Sequence, residues 1–207
     1  MDPEQLKKEI FEKVRQYHSL TKKSLPTEKI PNSGKVYDDE ELVSLVDASL
    51  RGFWTDGEMT SLFETRMANF LGVSYAITTT SGSSANLVAL SSLLSPMLPK
   101  EKRLKKGDEV ITISAGFPTT VNPTIINGLL PVFVDVDVQT LSILPGQVEE
   151  AVSEKTRAIF VAHTLGNPFD LGRITKIARE NNLWLIEDNC DALGSRYDGK
   201  LTGTFGQ

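Results

Sequence analysis

The sequence predicts an α/β fold with a mostly parallel central sheet. Three observations point to it. Runs of strand length recur at 75–79, 109–113, 132–135, 158–162 and 183–187; helical patterns stand between them; and polar clusters follow the strand-like runs. Strands that alternate with helices pair in parallel through helical crossovers, and ligands of such sheets bind at the strands' carboxyl ends.

The elements can be justified in order. Leu6, Ile10 and Val14 recur every four residues among Lys and Glu, which predicts a helix over residues 4–17 with one apolar face. Thr21 to Lys35 contains Pro26, Pro31 and Gly34 and reads as an extended connector. Asp38 followed by Glu41 has the spacing of a capping box, opening a helix through Leu42, Leu45, Val46 and Leu50 that stops near Gly52. A further helix is expected after Gly57, carrying Leu62, Phe63, Met67 and Phe70.

From Tyr75 the chain becomes rhythmic. The expected order is strand Tyr75–Thr79, helix Ser83–Leu94, strand Glu109–Ile113, short helix Thr119–Asn127 and strand Val132–Asp135. A helix near Gly146–Val152, strand Ala158–Ala162, a helix from Gly172 to Asn181 and strand Leu183–Glu187 follow. Tyr197-Asp198-Gly199-Lys200 reads as a turn between short strands. An α/β sheet that ends on a hairpin leaves an edge exposed, so the chain reads as a piece of a longer one or as a natural short form.

Composition narrows the function. With 207 residues and 40% apolar content, the chain can bury a sizeable core. A net charge of -5 with dispersed Lys and Arg argues against a nucleic-acid or membrane-surface binder. One cysteine makes no intramolecular disulfide, and Met1-Asp2-Pro3-Glu4 lacks the order of a signal peptide, so the cytoplasm is the expected compartment. No apolar run approaches the ~18 residues of a membrane-spanning helix.

Four stretches can carry chemistry. Thr78-Thr79-Thr80-Ser81-Gly82-Ser83-Ser84-Ala85-Asn86 lies between a strand and a helix, where Gly82 permits close backbone approach and Ser83 and Ser84 add donors to the unpaired amides of a helix start. It suits a phosphate, and equally an ordinary Ser N-cap. Neither Gly-x-Gly-x-x-Gly nor a P-loop pattern occurs. Phe117, within Ser114-Ala115-Gly116-Phe117-Pro118-Thr119-Thr120, is either a core residue closing the sheet or a ring displayed to a flat ligand. His163, after Ala162, is either a satisfied structural histidine or a pocket residue; His18 has only a structural reading. Glu187-Asp188-Asn189-Cys190-Asp191 closes the last strand, where Asp188 sits in a crevice that makes an ionised carboxylate costly unless a cation or donor meets it. A Mg²⁺ site there lacks a second ligand motif, zinc is disfavoured by one Cys and two His, and Cys190 alone reads as a small hydrophobe.

In this order the stretches resemble the large domain of the fold-type I pyridoxal-phosphate enzymes, a three-layer fold with a mostly parallel sheet, and within them the DegT-type sugar-nucleotide aminotransferase family. Ser81–Leu87, Phe117–Pro123, Gly166-Asn167-Pro168 and Glu187–Gly194 are most similar to the CDP-4-dehydro-6-deoxyglucose 3-dehydratases, which make 3,6-dideoxyhexoses for bacterial surface polysaccharide. The resemblance covers about Val36 to Gly206, dividing the chain into an N-terminal helix and connector, 1–35, and a partial cofactor-binding domain, 36–207.

The resemblance implies the remaining roles. Gly82, Ser83 and Ser84 would hold the phosphate of pyridoxal or pyridoxamine phosphate, Phe117 would stack on its ring, and Asp188 would pair with the protonated ring nitrogen. Asp191 falls where many aminotransferases have Gln near the phenolic oxygen, and His163 matches a pocket His. The Schiff-base Lys, or the His that replaces it in the dehydratases, would follow Gln207, so no catalytic base is assigned within this chain and little turnover is expected of it alone. The resemblance further implies a nucleotide-sugar substrate, an iron–sulfur flavoprotein reductase, a homodimer, and in some members a [2Fe–2S] cluster to which Cys190 could be a ligand. A Lys-bearing aminotransferase and a non-catalytic remnant are the alternatives.

Overall fold

The computed structural model describes residues 2–22 and 34–206. The chain divides into two compact units, Met1–Phe63 and Glu64–Gln207.

In the first unit, α1 (Pro3–Thr21) and α2 (Asp39–Leu50) pack against each other. Asp2 caps α1 by accepting from the Glu4 amide. The capping box of α2 is complete: Glu41 accepts from the Asp38 amide at 2.7 Å while Asp38 accepts from the Glu40 amide at 2.8 Å and from the third helical residue. Lys7 pairs with Asp47, and Arg15 lies 3.4 Å from Asp39. The expected connector, Thr21–Lys35, lies outside the described residues over 23–33. Helix α3 (Glu58–Leu71) follows Gly57 as predicted.

The second unit holds a four-stranded parallel sheet of order β2-β1-β3-β4, made by β1 (Glu109–Ile113), β2 (Leu130–Val134), β3 (Thr156–Ala162) and β4 (Trp184–Asp188). Its strands are apolar on both faces because both are covered. Ile111, Ile113, Ile159, Val161 and Leu185 join Val148 of α6 (Pro145–Ala151) and Leu171, Ile174 and Ile177 of α7 (Leu171–Glu180). The alternate residues Val110, Ala158, Phe160, Trp184 and Ile186 join Leu90 of α4 (Gly82–Ser92) on the other side. Helix α5 (Pro118–Ile126) packs beside α4. A hairpin of β5 (Arg196–Tyr197) and β6 (Lys200–Leu201) follows.

One predicted strand is corrected. Residues 75–79 form no strand among the described residues, although their composition suits one. A strand needs a hydrogen-bonded neighbour, and none lies there: Tyr75 is 85% and Ile77 79% exposed. Thr78 instead donates its amide and hydroxyl to the Glu64 carboxylate at 2.7 and 2.9 Å.

Candidate cofactor site

The strand order places β1 between β2, the next strand in the chain, and β3, the one after that. The connections leaving β1 and β3 therefore diverge, and this is where open parallel sheets keep a ligand crevice at their carboxyl ends. A cavity of about 270 Å³ occupies that position, lined by Gly82, Ser83, Asn86, Phe117, Thr119, Ala162, His163, Asp188, Cys190 and Asp191. Its size lies near the low end, roughly 300 Å³, of small-molecule pockets.

At one wall is the start of α4. Ser81 is the N-cap, its hydroxyl accepting from the Ser84 amide at 3.1 Å, and the Ser84 hydroxyl is shared with Thr80 and Ser81. Ser84 thus serves the cap and does not line the cavity. The amides of Gly82 and Ser83 precede the first intrahelical bonds, and among the described residues neither meets a protein acceptor. Both residues line the cavity, so two N–H groups and the positive end of the helix dipole are available to an anion. A Cβ on Gly82 would lie 3.8 Å from the Cys190 sulfur, bringing the α4 start and the loop after β4 together.

The opposite feature is Asp188, the last residue of β4. Its Oδ2 accepts from the Asn86 amide at 2.7 Å and from the Thr120 hydroxyl at 2.8 Å, and its Oδ1 from the Cys190 amide at 3.2 Å. A carboxylate has about four acceptor sites. Three are filled, the carboxylate is locked in place, and capacity for a further donor remains. Asn86 and Thr120 carry no role in the sequence reading, although both are almost fully buried. Asn86 lies one helical turn beyond Gly82, a spacing that puts both on one face of α4.

Phe117 is 71% exposed, which excludes the core reading of that residue. It precedes Pro118 at the start of α5 and presents its ring at the cavity. Asp191 accepts from the Leu165 amide at 3.3 Å. That contact brings Asp191 against a tight turn, in which Gly166 has φ +80° and a Cβ would lie 2.8 Å from the Asp191 carbonyl oxygen. The Cys190 thiol is pushed up by partial burial and then by the charges of Asp188 and Asp191, which disfavours the thiolate. Among the described residues no group of three or more His, Cys, Asp and Glu could hold a metal ion.

His163 is fully buried and stacked on Phe169, with ring centroids 4.3 Å apart and planes 11° from parallel. Its Nε2 lies 3.0 Å from Glu187 Oε2, while Nδ1 is buried without a partner among the described residues. Burial pushes the Glu187 carboxyl up, but His163 and the amides of Gly206, Gly203 and Phe205 outweigh it and hold Glu187 below the usual range. Glu187 stands in the acidic stretch of the sequence but carries no role of its own there; the signal was strand alternation, which points it away from Asp188.

No helix among the described residues is long and apolar enough to cross a membrane. The chain is 52% identical over 210 residues to the lipopolysaccharide biosynthesis protein RfbH of Salmonella typhimurium, covering 100% of this chain and 48% of that protein. It is 51% identical over 206 residues to the dTDP-4-dehydro-2,6-dideoxy-D-glucose 3-dehydratase of Saccharopolyspora spinosa, covering 97% and 44%. A solved structure of the E. coli GDP-4-keto-6-deoxy-D-mannose-3-dehydratase with bound hydrated PLP matches with a TM-score of 0.80 at 36% identity, over 86% of this chain and 45% of that one. The chain spans about half the length of the relatives it matches. Residues 36–207 match the model of the DegT/DnrJ/EryC1/StrS aminotransferase family, and the chain belongs to that family.

Proposed function

We propose that this chain is the cofactor-binding part of a pyridoxal- or pyridoxamine-phosphate-dependent 3-dehydratase acting on a nucleoside-diphosphate-linked 4-keto-6-deoxyhexose. The motifs favour CDP-4-keto-6-deoxyglucose as that substrate. The observation that carries the reading is a single cavity in which a fixed carboxylate, two unpaired helix-start amides and an exposed aromatic ring converge. These three features suit a protonated ring nitrogen, a phosphate and a flat heteroaromatic face.

Each residue then has defined work. The Gly82 and Ser83 amides bind the phosphate, and Phe117 covers one face of the ring. Asp188 holds the proton on the ring nitrogen, and Asn86 and Thr120 keep its carboxylate in position. When bound, the cofactor supplies an electron sink that stabilises negative charge developing at the carbon next to its ring. Asp188 favours that sink because a proton held at the ring nitrogen draws charge toward itself. The base that moves the proton is assigned to a residue following Gln207, His for a dehydratase and Lys for an aminotransferase. Homodimerisation, a cytoplasmic location, an iron–sulfur flavoprotein reductase and, with Cys190, a [2Fe–2S] cluster belong to the same proposal.

Pyridoxamine phosphate is the better probe, because without an aldehyde it cannot be trapped by surface lysines. Added to the purified chain, it is expected to change cofactor absorbance and raise Tm, and Asp188→Ala is expected to remove both effects. Identical responses from the two proteins would overturn the reading.

A further inference from the structure

Three backbone amides and one imidazole nitrogen converge on the buried carboxyl group of Glu187. Oε1 faces the amides of Phe205 at 2.7 Å and Gly206 at 2.6 Å; Oε2 faces the Gly203 amide at 2.8 Å and His163 Nε2 at 3.0 Å. Its side chain is 2% exposed and that of His163 0%. Backbone amides only donate, so three of the four contacts require lone pairs on Glu187. An anion satisfies all four at once when Nε2 carries a hydrogen. A neutral carboxyl would have to give up one acceptor position to hold its proton.

The backbone beyond β6 is shaped to reach this carboxylate. Gly206 comes so close to β4 that a Cβ there would lie 2.4 Å from the Leu185 carbonyl oxygen. Only glycine fits without displacing the strand. The His163 amide in turn donates to the Asp188 carbonyl at 3.0 Å, so the ring is held from its backbone as well as from Nε2.

We propose that Glu187 is a positioning residue which fixes His163 as the Nε2–H tautomer and, through the same carboxylate, ties the 203–206 turn to the wall of the cofactor cavity. Nδ1 is then left as a buried acceptor with no protein donor among the described residues, on the Glu187 face of the sheet. The relevance of this to the cofactor rests on the proposed function, whereas the tautomer and the turn do not.

Histidine-selective ¹⁵N NMR on the full chain without cofactor tests it, so a failure to bind pyridoxamine phosphate cannot be mistaken for a failure here. The chain has two histidines, and His18→Gln identifies the other. In its neutral ring His163 is expected to show a pyrrole-type Nε2 and a pyridine-type Nδ1. The reverse pattern, or averaged shifts, would overturn the assignment. In Glu187→Gln the shifts are expected to average, and protection of the Gly203, Phe205 and Gly206 amides from hydrogen exchange to fall by about tenfold or more, as loss of hydrogen bonds to a charged group requires. Unchanged shifts and protection in that variant would sink the proposal. If the variant does not fold, the wild-type tautomer still decides.

Discussion

Glu187 and Asp188 are neighbours at the end of β4, yet they serve opposite sides of the sheet. Asp188 continues the face of Trp184 and Ile186 and is met by Asn86 of α4 and Thr120 of α5. Glu187 continues the face of Leu185 and is met by His163 and three amides of the closing turn. One carboxylate keeps acceptor capacity in hand at a cavity; the other has its lone pairs occupied by protein. Peptide alternation alone separates a group suited to a ligand from one suited to holding the scaffold. The same comparison says that their removal will be felt in different measurements.

The largest effect on folding is expected at Glu187. Glu187→Ala strands the buried His163 Nε2 and three half-buried amides, a loss of about 3–5 kcal/mol for breaking a buried charged network. Equilibrium urea unfolding measures it. A change below about 1 kcal/mol would mean that the turn is held by something else. At Asp188 the expected loss falls on binding: Asp188→Ala should weaken pyridoxamine phosphate by about 30-fold or more, as truncating one member of a buried charge pair does. Its stability cost should be the smaller, because water entering the cavity can replace the acceptor for Asn86 and Thr120.

Acid sharpens the contrast. Glu187 lies below its ordinary value of 4.5 in the folded chain. Its stabilisation is therefore complete above about pH 4.5 and is lost as pH falls through the lower folded value. The titratable group facing it is His163, whose Nε2 lies 3.0 Å from Oε2. Between pH 7 and pH 3 the wild-type chain should lose more Tm than Glu187→Gln, which has no carboxylate to protonate. Parallel curves for the two proteins would remove Glu187 from the acid response.

Much of this arrangement was legible in the sequence, and the limits have physical causes. Strands with apolar residues on both faces and helices between them announce a covered parallel sheet, and the polar clusters mark its carboxyl end; hence Gly82, Ser83, Phe117, His163, Asp188 and Asp191 meet in one cavity. Residues 75–79 looked like a strand because composition reports what a segment can do, while pairing depends on a neighbour. Ser84 takes part in the cap of α4, a use the sequence could not separate from an anion site because both draw on the same residue types. Asn86, Thr120 and Glu187 escaped for another reason. Each acts through a partner distant in sequence, Asn86 meeting Asp188 across 102 positions and Thr120 meeting it across 68. Nothing local signals that an asparagine on a helix face will find a carboxylate.

The smallest expected effects come from those two supports. Thr120→Val keeps shape and removes the hydroxyl at 2.8 Å from Oδ2; Asn86→Ala removes the amide at 2.7 Å. Each hydrogen bond is worth about 1 kcal/mol net, so each variant should raise the Kd of pyridoxamine phosphate by about fivefold. Because both donors act on one oxygen, their effects should not add: with either donor gone Asp188 can already rotate, and the second loss frees it little further. The double variant is then expected to bind more tightly than the product of the two single losses would give. Strict additivity in that titration would mean that the two side chains stabilise the bound ligand independently, and that Asp188 is held by its strand alone.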